Sequence, residues 1–229
     1  MALSPVAEDY LKAIYRLEEQ YSRPVRTVEI ADAVGVTSPS VTSMVETLDE
    51  RGLVASTPYK GVELTEAGEA VVLNLVRKHR LLETFLVECL EVPWTDVHRE
   101  ADRLEHHLSD ELARRLEVFL GGPATDPHGD PIPDAALTVP DDRSYTPLTE
   151  YDVGESVVVD RVPHRDRDVR EHLFENGIEL GVELSLEAVT PVGIVDVVPT
   201  DSDRPVSLPT QLARRIGARA TLQQETDRI

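Results

Sequence analysis

Apolar residues recur with a helical period through the first half of the chain and give way to short β-branched runs in the second. Ser4-Pro5 supplies an N-cap and a proline at the first helical position, and Tyr10, Ile14 and Leu17 form one stripe, which predicts a helix to about Gln20. After Arg23-Pro24, Thr27 caps a short helix with Ile30, Ala31 and Val34 inward, stopped by Gly35. The next helix follows at once. Thr37 or Ser38 is its cap, Pro39 its first residue, Val41, Val45 and Leu48 its buried face, and Gly52 its stop. Two short helices joined by a tight turn are a helix-turn-helix. Leu53 to Ser56 and Val62 to Leu64 bracket Pro58-Tyr59-Lys60-Gly61 and read as the strands of a wing, so residues 1–65 predict a winged helix-turn-helix.

Beyond it, Thr65 caps a long helix through about Glu91, Thr95 caps the next, and Ser109 caps a third with Leu112, Leu116 and Phe119 inward. Val72, Leu75, Val76, Leu82, Phe85 and Leu86 carry more apolar surface than one small wing domain covers, so the helical domain at 66–121 is expected to self-associate. Residues 122–147 are rich in Pro, Gly and Asp with no period and read as a linker, with Ile132 and Leu137 as its points of order. The apolar runs Val157-Val158-Val159, Val182 to Leu186 and Val192 to Val198 predict a small β-barrel at 148–229. A helix from Asp168 to Asn176 separates the first two runs, and a closing helical turn spans Leu208 to Ile216. The predicted fold is therefore a mostly α N-terminal half followed by a small β domain.

The candidate chemistry is a stripe of metal-ligand side chains. His79 and Glu83 lie near the end of the long helix, and His98, Asp102, Glu105 and His106 lie on the next, where 98, 102 and 106 recur at i, i+4 and i+8. Val97, Ala101, Leu104 and Leu108 take the opposite face. Divalent first-row metals want convergent N/O ligands, and a helix offers them at this spacing, although a solvated face of an acidic helix reads the same way. A DNA-reading function rests on Thr37, Ser38, Pro39, Ser40, Thr42 and Ser43 of the second short helix and on Tyr59 and Lys60 of the wing. Small hydroxyl side chains can meet phosphates or base edges there. A winged helix used only for protein contacts is the alternative. His164 and His172 read as surface residues.

Composition changes the picture in two ways. One cysteine, Cys89, excludes a disulfide framework and a Cys-based zinc site and fits a reducing cytoplasm, and no apolar run is long enough to span a membrane. The net charge of −20, with 43 acidic residues and only three lysines, would ordinarily argue against nucleic acid. A chain so acidic and Lys-poor looks adapted to a cytoplasm of high internal salt. The Debye length there falls to about 3 Å at 1 M, and net repulsion is largely screened.

With these elements in place the chain resembles the diphtheria toxin repressor family of metal-dependent transcriptional regulators, which includes manganese transport regulators. The resemblance is carried by Ala7 to Tyr15, Ser38-Pro39-Ser40-Val41-Thr42, Arg77 to Glu83, Glu105-His106-His107-Leu108-Ser109 and Asp130-Pro131-Ile132-Pro133. It implies that the helical domain binds metal and dimerises, that the barrel is SH3-like (FeoA-like), and that the homodimer binds promoter DNA when loaded with Mn2+ or Fe2+, with Zn2+ or Co2+ possible in vitro. It also implies a primary site of Asp9, Asp102, Glu105 and His106. An ancillary site would use His79, Glu83 and His98, completed by Asp166 or Asp168 of the barrel. Iron-type members place methionine and cysteine in the primary site, whereas Asp9 and Asp102 are similar to the manganese type. That type also carries a carboxylate one turn after the first Asp, and this chain has Lys12 there, which leaves one or two metals per chain open. The rival readings are a metal-binding hydrolase, for which no H-E-x-x-H or nucleophile motif is present, and a metal-buffering protein without a DNA role.

Overall fold

The computed structural model describes residues 3–21, 23–57, 60–139, 145–163, 166–200, 202 and 204–221. Tyr59 and His164 lie outside the described residues. The chain forms two compact units, one of residues 1–79, 105–109 and 133–138, the other of residues 80–104, 110–132 and 139–229.

In the first unit the Ser4 hydroxyl accepts from the Ala7 amide at 3.2 Å and Pro5 opens helix α1 (Pro5–Tyr21). Helix α2 (Thr27–Val34) starts differently from expectation. Thr27 is its first helical residue, Arg26 stands at the cap, and the Glu29 carboxylate closes the end by accepting from the Arg26 amide at 2.9 Å. Gly35 adopts φ 75° and donates its amide to the Ala31 carbonyl at 2.9 Å, a left-handed turn that a side chain would strain. It leads into α3 (Ser38–Glu50), and the wing pairs β1 (Val54–Thr57) antiparallel with β2 (Gly61–Leu64). Leu11, Ile14, Ile30, Val41 and Leu48 are completely buried in one core. Each contributes about 1.5–3 kcal/mol of apolar burial, which holds α1 against the helix-turn-helix.

The long helix α4 (Glu66–Leu90) begins beneath Thr65, whose hydroxyl accepts from the Gly68 amide at 3.1 Å. In the second unit, α5 (Trp94–Leu104) and α6 (Asp110–Phe119) follow. Here two expectations fail. The ligand stripe does not continue along one helix, because α5 stops at Leu104 and Glu105–His107 form a 3-10 turn. On α6, Leu112 and Phe119 point outward, with Phe119 68% exposed, and Ala113 is the buried residue. The strands are β3 (Thr146–Pro147), β4 (Ser156–Arg161), β5 (Glu183–Val189), β6 (Ile194–Pro199), β7 (Val206–Pro209) and β8 (Gly217–Ala220). They form one antiparallel sheet in the order β3-β8-β4-β5-β6-β7. Val157, Val159, Leu184, Leu186, Val195, Val197 and Leu208 alternate inward along it. Leu173 of α7 (Arg167–Glu175) and Ala213 of α8 (Thr210–Ala213) join the same core. This is the C-terminal β domain that the apolar runs predict. No helix among the described residues is long and apolar enough to cross a membrane.

Candidate metal centres

Asp9 on α1 meets Glu105 and His106 of the 3-10 turn in the first unit, with ligand atoms of all three within 4.8 Å of one another. His106 Nε2 lies 3.3 Å from Asp9 Oδ1 and 3.6 Å from Glu105 Oε1. The other ring nitrogen, Nδ1, is 2.6 Å from Glu8 Oε2. A carboxylate can only accept there, so Nδ1 donates to Glu8, and Nε2 is the nitrogen that would offer a lone pair to an ion held with Asp9 and Glu105. Two carboxylate oxygens and an imidazole nitrogen at this spacing fit a small divalent cation.

Glu105 is the anchor of the cluster and only 1% exposed. His79 Nδ1 donates to its Oε2 at 2.6 Å, and the Lys12 ammonium reaches Oε1 at 2.7 Å and Oε2 at 3.0 Å. Burial alone would raise the Glu105 carboxyl, but the His79 hydrogen bond and the Lys12 charge outweigh it and hold the group below its ordinary range. Glu105 is therefore an anion ready to ligate. Glu8 does not stand out from sequence as part of a site, and Lys12 does so only through the resemblance, as the cation standing one turn after Asp9. Their other signal is position, since both lie within one turn of Asp9 on a helix whose neighbouring residues are core.

In the second unit, Glu83 Oε1 is 2.9 Å from His98 Nδ1, and Asp102 Oδ2 is 3.6 Å from His98 Nε2. Glu83 also forms a fully buried cluster with Asp126 and His128, ligand atoms again within 4.8 Å. His128 Nε2 donates to the Trp94 carbonyl at 3.2 Å, which leaves Nδ1 facing Glu83 Oε2 at 3.7 Å and Asp126 Oδ1 at 3.9 Å. A lone pair facing two carboxylates needs a proton or a cation between them. Burial lowers the His128 imidazole, yet the Glu83 and Asp126 carboxylates and the Trp94 carbonyl together outweigh it and the net effect is upward. Burial, with Asp130 and Glu83 nearby, pushes the Asp126 carboxyl up to about 7. Asp126 and His128 sit in the stretch read as linker, and both are buried there. The turn is built by Asp126 Oδ1, which accepts from the amides of His128 at 2.8 Å and Asp130 at 3.0 Å. Among the described residues neither Asp166 nor Asp168 joins a ligand cluster. Asp166 instead caps α7, accepting from the Asp168 amide at 3.0 Å.

Gly129, inside that turn, has φ 86°, and a Cβ there would lie 2.0 Å from the Asp160 carbonyl oxygen. Gly129→Ala is expected to cost about 2 kcal/mol or more in urea unfolding, because strain and overlap act together. An unchanged midpoint would show that the turn is not held as described.

The recognition candidates Thr37, Ser38, Pro39, Ser40, Thr42 and Ser43 are all exposed at the start of α3, and Lys60 is exposed in the wing. Thr42 donates its hydroxyl to the Ser38 carbonyl at 3.1 Å, so toward a ligand it can only accept. Arg23 and Arg26 are both bound by Glu29 at 2.6 Å, which offsets part of the positive charge beside α2.

Three family models match the chain. An iron-dependent repressor N-terminal DNA-binding domain matches residues 2–62, an iron-dependent repressor metal-binding and dimerisation domain matches 65–134, and a FeoA domain matches 146–220. The chain is 34% identical over 225 residues to the iron-dependent repressor IdeR of Mycobacterium tuberculosis, across 93% of this chain and 96% of that one. It is 32% identical over 193 residues to the diphtheria toxin repressor of Corynebacterium glutamicum, across 80% and 84% of the two chains. A solved manganese-dependent transcriptional repressor in complex with manganese has a TM-score of 0.81 at 36% identity, over 94% of this chain and 100% of that one. The manganese regulator SloR has a TM-score of 0.77 at 30% identity, over 96% and 100%. Matched along almost its whole length at this level of identity, the chain belongs to the iron-dependent repressor family, the family of the diphtheria toxin repressor.

Proposed function

We propose that the chain is a metal-dependent transcriptional repressor that binds promoter DNA as a homodimer when loaded with Mn2+ or Fe2+, and so controls metal-ion homeostasis. The observation that carries this reading is the convergence of Asp9, Glu105 and His106, with Glu8 orienting the imidazole, in a chain whose residues 2–62 match a repressor DNA-binding domain. Asp9 lies in the DNA-binding stretch, while Glu105 and His106 lie in the stretch matched as metal-binding. When bound, a divalent ion supplies positive charge that joins the two stretches. The chain does the rest: Glu8 fixes His106, and His79 and Lys12 fix Glu105. Oxygen and imidazole donors without thiolate or thioether suit Mn2+ or Fe2+, and Zn2+ and Co2+ bind such sets in vitro.

We group the remaining ligands as a second site of Glu83, Asp126 and His128 beside His98 and Asp102, within a domain division of 1–65, 66–121 and 148–229 joined by 122–147. Homodimerisation is supported by the exposed Leu112, Val118 and Phe119 of α6 and by the dimerisation domain matched at 65–134. Matched to a family of regulators, the chain is read as a regulator and not an enzyme. The test is a footprint of the chain on its own upstream DNA in molar KCl with and without Mn2+. Protection is expected only with metal. Ser43→Glu, which aims an anion at phosphate from an exposed position of α3, is expected to abolish that protection in a folded protein. Metal binding or hydrolysis without protection would instead support a buffering protein or a hydrolase.

A further inference from the structure

Lys12 is buried on α1, one turn after Asp9, and its ammonium lies 2.7 and 3.0 Å from the two oxygens of Glu105. The same Glu105 Oε1 that accepts from Lys12 faces His106 Nε2 at 3.6 Å, on the side of Asp9. Glu105 thus serves two positive positions. One is the opening toward Asp9 and His106, and the other is filled by Lys12 with His79 closing Oε2. A carboxylate has about four lone-pair directions, enough for both. Local charge agrees with this division. Glu8, Asp9 and Glu105 bring three carboxylates to this cluster, and the Lys12 ammonium offsets one of their charges.

We propose that Lys12 is a built-in cation that occupies the second positive position of this site, limiting it to one divalent ion and weakening the hold on that ion. The proposal rests on the reading of Asp9, Glu105 and His106 as a metal site. Repulsion between an ammonium and a divalent ion sharing one carboxylate raises the metal concentration at which the site fills, so Lys12 sets the threshold of response. A further consequence is that the buried Glu105 stays paired when no metal is bound, which keeps its environment ordered in both states.

The test uses the full chain, Mn2+ alone, and equilibrium dialysis with electron paramagnetic resonance. Lys12→Gln is expected to raise Mn2+ affinity at this site about tenfold or more, because a nearby positive charge is lost. Lys12→Glu puts a carboxylate where the ammonium stands and is expected to bind one more Mn2+ per chain than the parent, with spectral broadening from an exchange-coupled pair. Lys12→Arg, which keeps the charge, is expected to retain the parent stoichiometry. A lysine that merely supported the fold would give the opposite sign, with Lys12→Gln losing affinity. That loss, or an unchanged affinity, overturns the proposal even if Lys12→Glu fails to fold. Failure of the underlying reading is distinguished by Glu105→Gln. If that variant binds Mn2+ as the parent does, there is no metal site here for Lys12 to tune.

Discussion

Glu105→Gln is expected to lower Mn2+ affinity about tenfold or more and, without metal, to destabilise the protein by about 3 kcal/mol. Both effects come from one side chain. The change removes an anionic oxygen that faces His106 at 3.6 Å, and it takes the compensating charge from a Lys12 ammonium that is 2.7 Å away and itself buried. Removing one partner of a buried ion pair costs about 3–5 kcal/mol, and the neutral amide, which can still accept a hydrogen bond, puts the loss at the low end. The two effects separate in a double variant. Adding Lys12→Met should restore most of the unfolding free energy, because no unpaired charge is left behind, while the Mn2+ affinity stays low. A double variant as unstable as Glu105→Gln alone would mean that Glu105 supports the fold through contacts other than Lys12.

Much of the fold is legible from periodicity, because α1, α3 and strands β4 to β6 each follow a local pattern of apolar residues. The break after Leu104 is not legible. No glycine or proline stands in Leu104-Glu105-His106-His107, and the helix tightens where Glu105 is held by His79 and Lys12, both distant in sequence. Types of ligand are visible in the same way, but their grouping is not. Asp126 and His128 sit in a Pro, Gly and Asp run that reads as linker, and only their burial beside Glu83 reveals them. Leu112 and Phe119 show the converse failure. A helical stripe predicts which residues share a face and does not say whether this chain or another copy covers it.

Asp9 is expected to carry the response of DNA binding to metal. Glu8 meets His106 and Lys12 meets Glu105 by direct side-chain hydrogen bonds, so these links between α1 and the 3-10 turn need no ion between the partners. A ligand shifts an equilibrium only through interactions that differ between its states. Asp9 is the α1 residue of the Asp9–Glu105–His106 cluster, and its side chain remains 54% exposed. An ion held by all three would add to the 3.3 Å approach of Asp9 to His106, and that added attachment is the interaction the proposed switch uses. Asp9→Ala is expected to retain weakened Mn2+ binding through Glu105 and His106 while losing the coupling to DNA, which for such switches is worth about 5- to 150-fold in affinity.

The most direct measurement is a titration of a labelled upstream DNA fragment with the parent and with Asp9→Ala, by fluorescence anisotropy in molar KCl, with and without saturating Mn2+. Saturating Mn2+ should tighten the parent's DNA binding about tenfold or more and leave the Asp9→Ala affinity unchanged. A parent that binds DNA equally well without metal, or an Asp9→Ala protein with an undiminished metal response, would contradict the claim that metal at Asp9, Glu105 and His106 switches this chain onto DNA.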